Sequence, residues 1–205
     1  NKNLVRNFFN RFFLVKDSFY YDILSDYQSL AWRSNGLDTP ADIIHQSGQN
    51  NIYTYRFDWD EEPKILGMDF SLLLGAAHAF EIPFIMGDFD LGDQTSFIYD
   101  KDKIKERNIL SANMMQYWSE FAKNGNPDRG SNKNLARWEK WKTFEGNSKI
   151  MILDTISSGG SRIINSHVPI EALVETFNND PRSKKIEDKC AFLEIVFSWV
   201  DNWKE

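Results

Sequence analysis

The chain has 205 residues, of which 41% are apolar and 26% charged, and its formal net charge is −6. This composition indicates one globular domain or most of one, and it excludes a fully disordered or fibrous chain. The acidic balance disfavours a nucleic-acid-binding protein, and no apolar run reaches the roughly 18–20 residues of a transmembrane helix. A single cysteine, Cys190, excludes an intrachain disulfide and a cysteine-rich zinc site, and its apolar helical surroundings predict a small core residue.

The first quarter of the chain is predicted to be helical. Apolar residues recur every three or four positions over residues 3–34, with Asp17 or Ser18 as the cap of a second helix and Gly36 at a helix end. A short helix is predicted at Pro40–His45. The apolar pattern is already running at Asn1 and contains no signal peptide, so we expect further chain upstream.

Two strands and two long helices are predicted downstream. Ile52–Asp58 is the clearest strand and Lys149–Asp154 the second, and we expect both to belong to a larger sheet because two strands alone are marginally stable. An amphipathic helix is predicted over Lys103–Lys123, before the terminator Asn124–Pro127, and another from Ile186 to Trp203. The predicted apolar face of the first holds Ile104, Leu110, Met114, Tyr117, Trp118 and Phe121. The predicted buried side of the second holds Phe192, Ile195, Val196 and Trp199. These elements predict a helix-rich fold with about two strands of a central sheet.

Metal binding is not indicated by the sequence. In the acidic loop Asp88–Asp102, the twelfth position from Asp88 is Tyr99, where a calcium loop needs a bidentate glutamate. The three histidines lack the spacing of a zinc-binding helix, and His45 and His167 are interpreted as surface residues. We therefore expect neither a metal nor another cofactor.

His78 is the candidate for chemistry. Small residues flank it, which leaves an imidazole accessible, and imidazole titrates near the pH at which a general base works. A satisfied core histidine remains the alternative reading from these residues alone. The serine elbow Gly-x-Ser-x-Gly does not occur in the chain, and Asp58, at a strand end before His78, stays open as a triad acid.

Five segments, in order, carry a resemblance to a known family: YTYRFDW (Tyr53–Trp59), LGAAHAFEIPF (Leu74–Phe84), MQYWSEFAKNGNP (Met115–Pro127), Trp138–Phe144 and Lys189–Phe192. They closely resemble the C-terminal half of type-B carboxylesterases, the relatives of cholinesterases and of bacterial para-nitrobenzyl esterase. The resemblance implies an α/β-hydrolase fold and a Ser–His–Glu (or Asp) triad that hydrolyses carboxylic esters through an acyl-enzyme.

The resemblance also implies roles for particular residues. His78 falls on the catalytic histidine of the family, and Glu81 falls on a glutamate near the active site, where we expect it to support His78 through hydrogen bonds or an ordered water. Ala79 stands where the family usually has glycine. If the stretch before His78 is helical, Phe70 and Leu74 share its face and, with Phe80, line a substrate pocket; plain core packing is the alternative.

The nucleophile, the oxyanion-hole glycines and the acid of the family all precede the point that matches Asn1. We therefore expect residues 1–205 to be the C-terminal portion of one α/β-hydrolase domain, partnered by its N-terminal portion on the same or a separate chain. The expected ligand is a small ester, with neither nucleic acid nor membrane as a partner. Cys190 matches a disulfide position of secreted cholinesterases, and its lack of a second cysteine fits a bacterial or intracellular member with a cytoplasmic location.

Two other function classes remain open at this stage. The family includes non-catalytic adhesion and storage members, so the chain is alternatively an esterase-like binding module or an inactive fragment. A free-standing helical interaction domain is the third reading. Its difficulty is the apolar opening segment, which needs a partner surface.

Overall fold

The structure is a computed structural model of the chain, and it describes residues 5–8, 12–90, 98–99, 103–143, 148–198 and 200. Contacts between residues divide the chain into two compact units. The first unit joins Asn1–Gly48 to His167–Glu205, and the second unit is Gln49–Ser166.

The first unit begins with a strand hairpin where the sequence predicts helix. β1 (Val5–Phe8) and β2 (Phe12–Val15) pair in antiparallel fashion, with Val5 opposite Val15. The helix predicted from residue 3 is therefore wrong over these two segments. Periodicity does not distinguish helix from strand in such short apolar runs, and valine and phenylalanine favour extended backbone.

Helices continue the first unit, and most of their bounds are as predicted. Asp17 caps the first helix, because its carboxylate accepts the Tyr20 backbone N–H at 2.9 Å. Gly36 does not end a helix; it lies inside a π-helical segment without a positive φ, so the chain stays helical into the turn that contains Pro40. The elements are α1 (Ser18–Arg33), the π-helical segment (Ser34–Asp38) and α2 (Thr39–Gln46).

Aromatic rings from three helices form the core of the first unit. Tyr27 meets Phe177 edge to face with 5.2 Å between ring centroids, and Phe177 stacks on Phe192 at 4.8 Å. Edge-to-face and offset contacts of this kind add to the gain from burying large rings. The C-terminal elements are a 3₁₀ turn (Ile170–Ala172), α6 (Leu173–Asn179), a second 3₁₀ turn (Pro181–Lys185) and α7 (Lys189–Val196).

Two predictions for the last helix are corrected. α7 begins at Lys189 rather than Ile186, because the Asp188 side chain accepts the Ala191 N–H and caps the helix there. The helix ends at Val196. Of the residues predicted to continue it, 199 and 201–203 lie outside the described part of the chain. Ile195, predicted on the buried side, is exposed.

Cys190 is exposed and not the core residue that its apolar surroundings predicted. Phe192 and Val196 are the buried residues of α7. A helix turns about 100° per residue, so Cys190, two positions before Phe192, lies on nearly the opposite face.

The second unit contains a three-stranded sheet in the order β3–β6–β7. Its strands are β3 (Thr54–Phe57), β6 (Lys149–Leu153) and β7 (Arg162–Asn165). β3 and β6 are the two predicted strands, and they run parallel with Thr54 opposite Ile150. β7 was not predicted; it pairs antiparallel with β6 and places Asn165 opposite Lys149.

Helices and a small hairpin complete the second unit. The helix predicted over Lys103–Lys123 is confirmed, and it ends at Gly125, whose left-handed φ of 65° suits glycine. Ile104 and Phe121, predicted on its buried face, are exposed. The elements are β4 (Lys64–Ile65), β5 (Met68–Asp69), α3 (Phe70–Leu73), α4 (Ile82–Met86) and α5 (Ile104–Asn124).

A buried aromatic cluster lies between the sheet and α5. Its largest members are Trp59, Phe84, Tyr117 and Trp138, all at most 5% exposed. In the described ranges, no helix is long and apolar enough to cross a membrane.

Candidate active site

His78 lies in a turn between α3 and α4, and its side chain is exposed. Three backbone hydrogen bonds shape this turn: Ala77 N–H to the Gly75 carbonyl at 2.7 Å, Phe80 N–H to Ala77 at 3.1 Å, and Ile82 N–H to Ala79 at 3.2 Å. The imidazole is therefore presented from a hydrogen-bonded turn rather than from a helix. The exposure is what the small flanking residues predicted.

Ala79 holds a backbone conformation that favours glycine. Its φ is 71°, in the left-handed region where a Cβ crowds the backbone. The departure from the glycine usual in the family therefore falls at a position where glycine is the less strained residue. The methyl group therefore adds strain to the turn next to His78.

The Glu81 side chain contacts the sheet and does not cap α4, the helix that begins at the next residue. The Tyr55 hydroxyl, on β3, donates a 3.5 Å hydrogen bond to Glu81 Oε1. Burial raises the pKa of the Tyr55 phenol, and the Glu81 carboxylate raises it further, so the phenol remains a donor at neutral pH. The sequence placed Glu81 near the site through the resemblance, but its contact with Tyr55 was not foreseen.

The core side of the same turn is held by Tyr99. Its hydroxyl donates to the Phe80 carbonyl at 3.4 Å, and its ring lies 5.9 Å from Phe84. Burial, followed by the charges of Glu62 and Glu81, raises the pKa of Tyr99 to about 12. The predicted acidic loop that contains Tyr99 lies largely outside the described residues.

The helical face predicted for the pocket residues does not form. α3 ends at Leu73, so Phe70 and Leu74 do not continue along one helix to His78. Leu74 is 40% exposed, whereas Phe80 packs against the core near Tyr99. Four residues of helix are too few to carry the spacing, and Gly75 turns the chain with a φ of 52°. A pocket role for these three residues stays a prediction.

A cleft of about 380 Å³ opens at the carboxyl ends of the parallel strands β3 and β6. Ligand sites of α/β proteins gather at this edge of a sheet. Gly75 and Ala76 bring the histidine turn to the cleft wall. The lining residues are Arg56, Asp58, Asp60, Gly75, Ala76, Asp154 and Ser158.

The carboxylates of Asp58 and Asp154 in this cleft each pair with an arginine. Both carboxylate oxygens of Asp58 accept from the Arg56 guanidinium, at 2.6 and 2.5 Å, and a role for Asp58 as the triad acid stays an open alternative. Burial raises the pKa of Asp154, while the Thr155 N–H and the Arg162 guanidinium oppose that rise. Asp154 was not singled out as a site residue in the sequence, although its place at the end of a predicted strand was a usable signal.

In the part of the chain that the structure describes, no three His, Cys, Asp or Glu side chains group as metal ligands. His167 pairs with Asp42 at 2.8 Å between Nε2 and Oδ2, and it lies on the surface of the first unit as predicted.

Comparison with known proteins gives matches along most of the chain. Residues 20–163 match the carboxylesterase family. Carboxylesterase 5A of Mus musculus is 29% identical over 125 residues, which are 60% of this chain and 20% of that protein. Para-nitrobenzyl esterase of Bacillus subtilis is 28% identical over 159 residues, which are 76% of this chain and 24% of that protein.

A solved structure of PNB esterase is 28% identical and covers 55% of this chain and 19% of that one, with a TM-score of 0.38. The chain spans about a quarter or less of the length of these relatives. The resemblance drawn from the five sequence segments is confirmed by the family match, and with it the helix-rich α/β-hydrolase class.

Proposed function

The chain belongs to the carboxylesterase family, and on that basis we propose that it is the C-terminal portion of a serine carboxylesterase domain. His78 is the triad histidine in this proposal. The serine nucleophile, the oxyanion hole and the acid come from the N-terminal portion, carried on the same or a separate chain. The substrates are small carboxylic esters.

His78 accepts a proton and then donates it in each half of this reaction. An unprotonated ring nitrogen of His78 takes the serine hydroxyl proton as the serine oxygen bonds to the ester carbonyl carbon, and the imidazolium gives that proton to the departing alcohol. Water then attacks the acyl-enzyme and gives its proton to His78, which donates it to the serine oxygen as the acid is released. These steps require an imidazole that is accessible to another part of the protein, and the exposed turn supplies one.

One observation supports the proposal: His78, which the sequence resemblance aligns with the family's histidine, is exposed on a hydrogen-bonded turn inside the matched residues 20–163. A histidine serving only the core would be buried among partners instead. Glu81 supports the same assignment, since its side chain lies within the same turn region and contacts a strand of the sheet.

The test is hydrolysis of p-nitrophenyl butyrate, together with an intact mass that shows which polypeptides are present. It is run on the chain alone and on protein that also contains the N-terminal portion. His78→Ala should lower the activity of the complete protein by about 10³-fold or more, because a triad without its base cannot activate serine. His45→Ala, in the first unit, is the matched control and should keep full activity.

Two outcomes contradict the proposal. If the complete protein hydrolyses the ester equally well with His78→Ala, the histidine is not the base. If the complete, folded protein shows no hydrolysis above background, the non-catalytic binding module replaces the esterase. Activity that requires the N-terminal portion and vanishes with His78 supports the proposal in full.

A further inference from the structure

Tyr55 projects from the sheet toward the histidine turn, and its ring is held between two tryptophans. The Trp118 ring lies 5.2 Å away and the Trp138 ring 6.2 Å away, both at steep edge-to-face angles. Trp138 is itself anchored, because its indole N–H donates to the Thr54 carbonyl at 3.1 Å. Packing against the two tryptophans thus fixes the orientation of the Tyr55 ring, and in this orientation the hydroxyl points at the Glu81 carboxylate.

Glu81 accepts the hydrogen bond from the Tyr55 hydroxyl close to the residues that carry the imidazole. It is the residue before α4, yet its side chain caps no backbone N–H of that helix. Its backbone carbonyl accepts the Ile85 N–H at 3.0 Å, which ties it to the first turn of α4. His78 lies three residues earlier in the same turn. A restraint on the Glu81 side chain is therefore a restraint on the turn that carries the imidazole.

Tyr53 provides a contrast in the same segment of the chain. Its ring packs edge to face on Phe121 at 5.9 Å, and its buried hydroxyl has no hydrogen-bond partner among the described residues. Two tyrosines two residues apart thus share aromatic packing, but only the Tyr55 hydroxyl contacts the histidine turn.

We propose that Tyr55 is a positioning residue for His78: its hydroxyl holds Glu81 and so fixes the histidine turn against β3. The catalytic consequence rests on the proposed function, whereas the structural consequence does not. A general base that is displaced by a fraction of an ångström transfers protons poorly. Loss of the Tyr55–Glu81 hydrogen bond therefore lowers the rate of the chemical step rather than substrate affinity.

The experiment compares Tyr55→Phe with Tyr53→Phe, since each removes one hydroxyl and keeps its ring. The first readout is the NMR signal of the His78 ring Hε1 proton in the chain, with the indole N–H signals of Trp118 and Trp138 reporting that the cluster is folded. Tyr55→Phe should shift or broaden the His78 signal, and Tyr53→Phe should leave it unchanged. This readout needs no enzymatic activity.

The second readout is hydrolysis of p-nitrophenyl butyrate by the complete protein. Tyr55→Phe should lower kcat about tenfold with little change in KM, as expected for a misplaced catalytic group. Glu81→Ala should have a similar effect, and the double variant should be no worse than either single one, because both remove the same contact.

Several outcomes overturn the inference. An unchanged His78 signal in Tyr55→Phe, with the tryptophan signals intact, shows that the hydroxyl does not hold the turn. An equal effect of Tyr53→Phe, or strictly additive losses in the double variant, assigns the effect to general packing. If the His78 signal moves as expected but neither the wild type nor any variant hydrolyses the ester, the positioning role of Tyr55 is supported and the proposed function is contradicted.

Discussion

The Ser111 hydroxyl donates a 2.8 Å hydrogen bond to the Phe84 carbonyl, inside the core and across 27 positions of sequence. It joins α5 to α4, the short helix that directly follows the histidine turn. Helices of five residues are not stable on their own and depend on tertiary contacts. This buried bond is therefore one of the contacts that keep the end of the histidine turn in place.

Ser111→Ala should destabilise the chain by about 1–3 kcal/mol, because the buried Phe84 carbonyl loses its side-chain partner. Ser119→Ala, on the exposed side of the same helix, is the control and should change the unfolding free energy by less than about 0.5 kcal/mol. Urea denaturation of both variants measures the difference. Equal effects of the two substitutions would mean that the Ser111 bond contributes nothing specific.

Ala79→Gly should raise stability, since glycine adopts the φ of 71° without the steric cost that the alanine methyl carries. The expected gain is about 0.5–1 kcal/mol, after allowing for the greater freedom of glycine in the unfolded chain. Ala77→Gly, at a position without a positive φ, should lower stability by a similar amount. Thermal unfolding checks the pair, and a loss of stability in both variants would contradict the strain at Ala79.

The sequence predicts those elements whose signal is local. α5 shows a long amphipathic period with a glycine terminator, and β6 is a compact apolar run, so both are found close to their predicted bounds. The β1–β2 hairpin and β7 were not predicted, because a strand of four residues is too short to show a clear alternation of apolar and polar residues. Such short strands form only when they pair with a partner strand.

The candidate site likewise has features that local sequence predicts and features that depend on tertiary structure. Exposure of His78 follows from its small neighbours, which are local. The contact of Tyr55 with Glu81 joins residues 26 positions apart, and the approach of Asp154 to the cleft depends on the parallel pairing of β3 with β6. No periodicity in one segment encodes such distances, so tertiary structure is required to find them.

Cys190 should react with a thiol reagent in the native state. The residue is exposed near the start of α7, so 5,5′-dithiobis(2-nitrobenzoate) should titrate one equivalent under native conditions, as it does in denaturant. A core cysteine would instead be protected until the chain unfolds. Reaction only after denaturation would restore the sequence-based prediction, and Cys190→Ser, which should abolish the signal in both conditions, is the control.

Glu62 is a buried carboxyl group in the second unit. It is 5% exposed, and neither carboxylate oxygen has a hydrogen-bond partner among the described residues. Burial raises its pKa from 4.5 to about 8; the backbone N–H of Glu62 opposes this rise, and the charges of Asp60, Glu61 and Asp69 add to it. The folded protein therefore holds this group protonated at neutral pH, where the unfolded chain has released the proton.

This difference makes stability depend on pH. Between about pH 4.5 and 8 the folded state binds one more proton than the unfolded state at this site, so the unfolding free energy falls as pH rises and levels off above 8. Glu62→Gln cannot ionise in either state and lacks this fall. Its stability relative to wild type should therefore grow with pH, by on the order of 3 kcal/mol between pH 5 and pH 8.5.

Urea denaturation of wild type and Glu62→Gln at those two pH values measures the effect. Glu139→Gln is the control, because Glu139 is exposed and its substitution should leave the pH dependence of wild type intact. Parallel stability curves for wild type and Glu62→Gln would show that Glu62 is ionised in the folded state. That result would require a partner for its carboxylate, and so a different packing of the segment between β3 and the histidine turn.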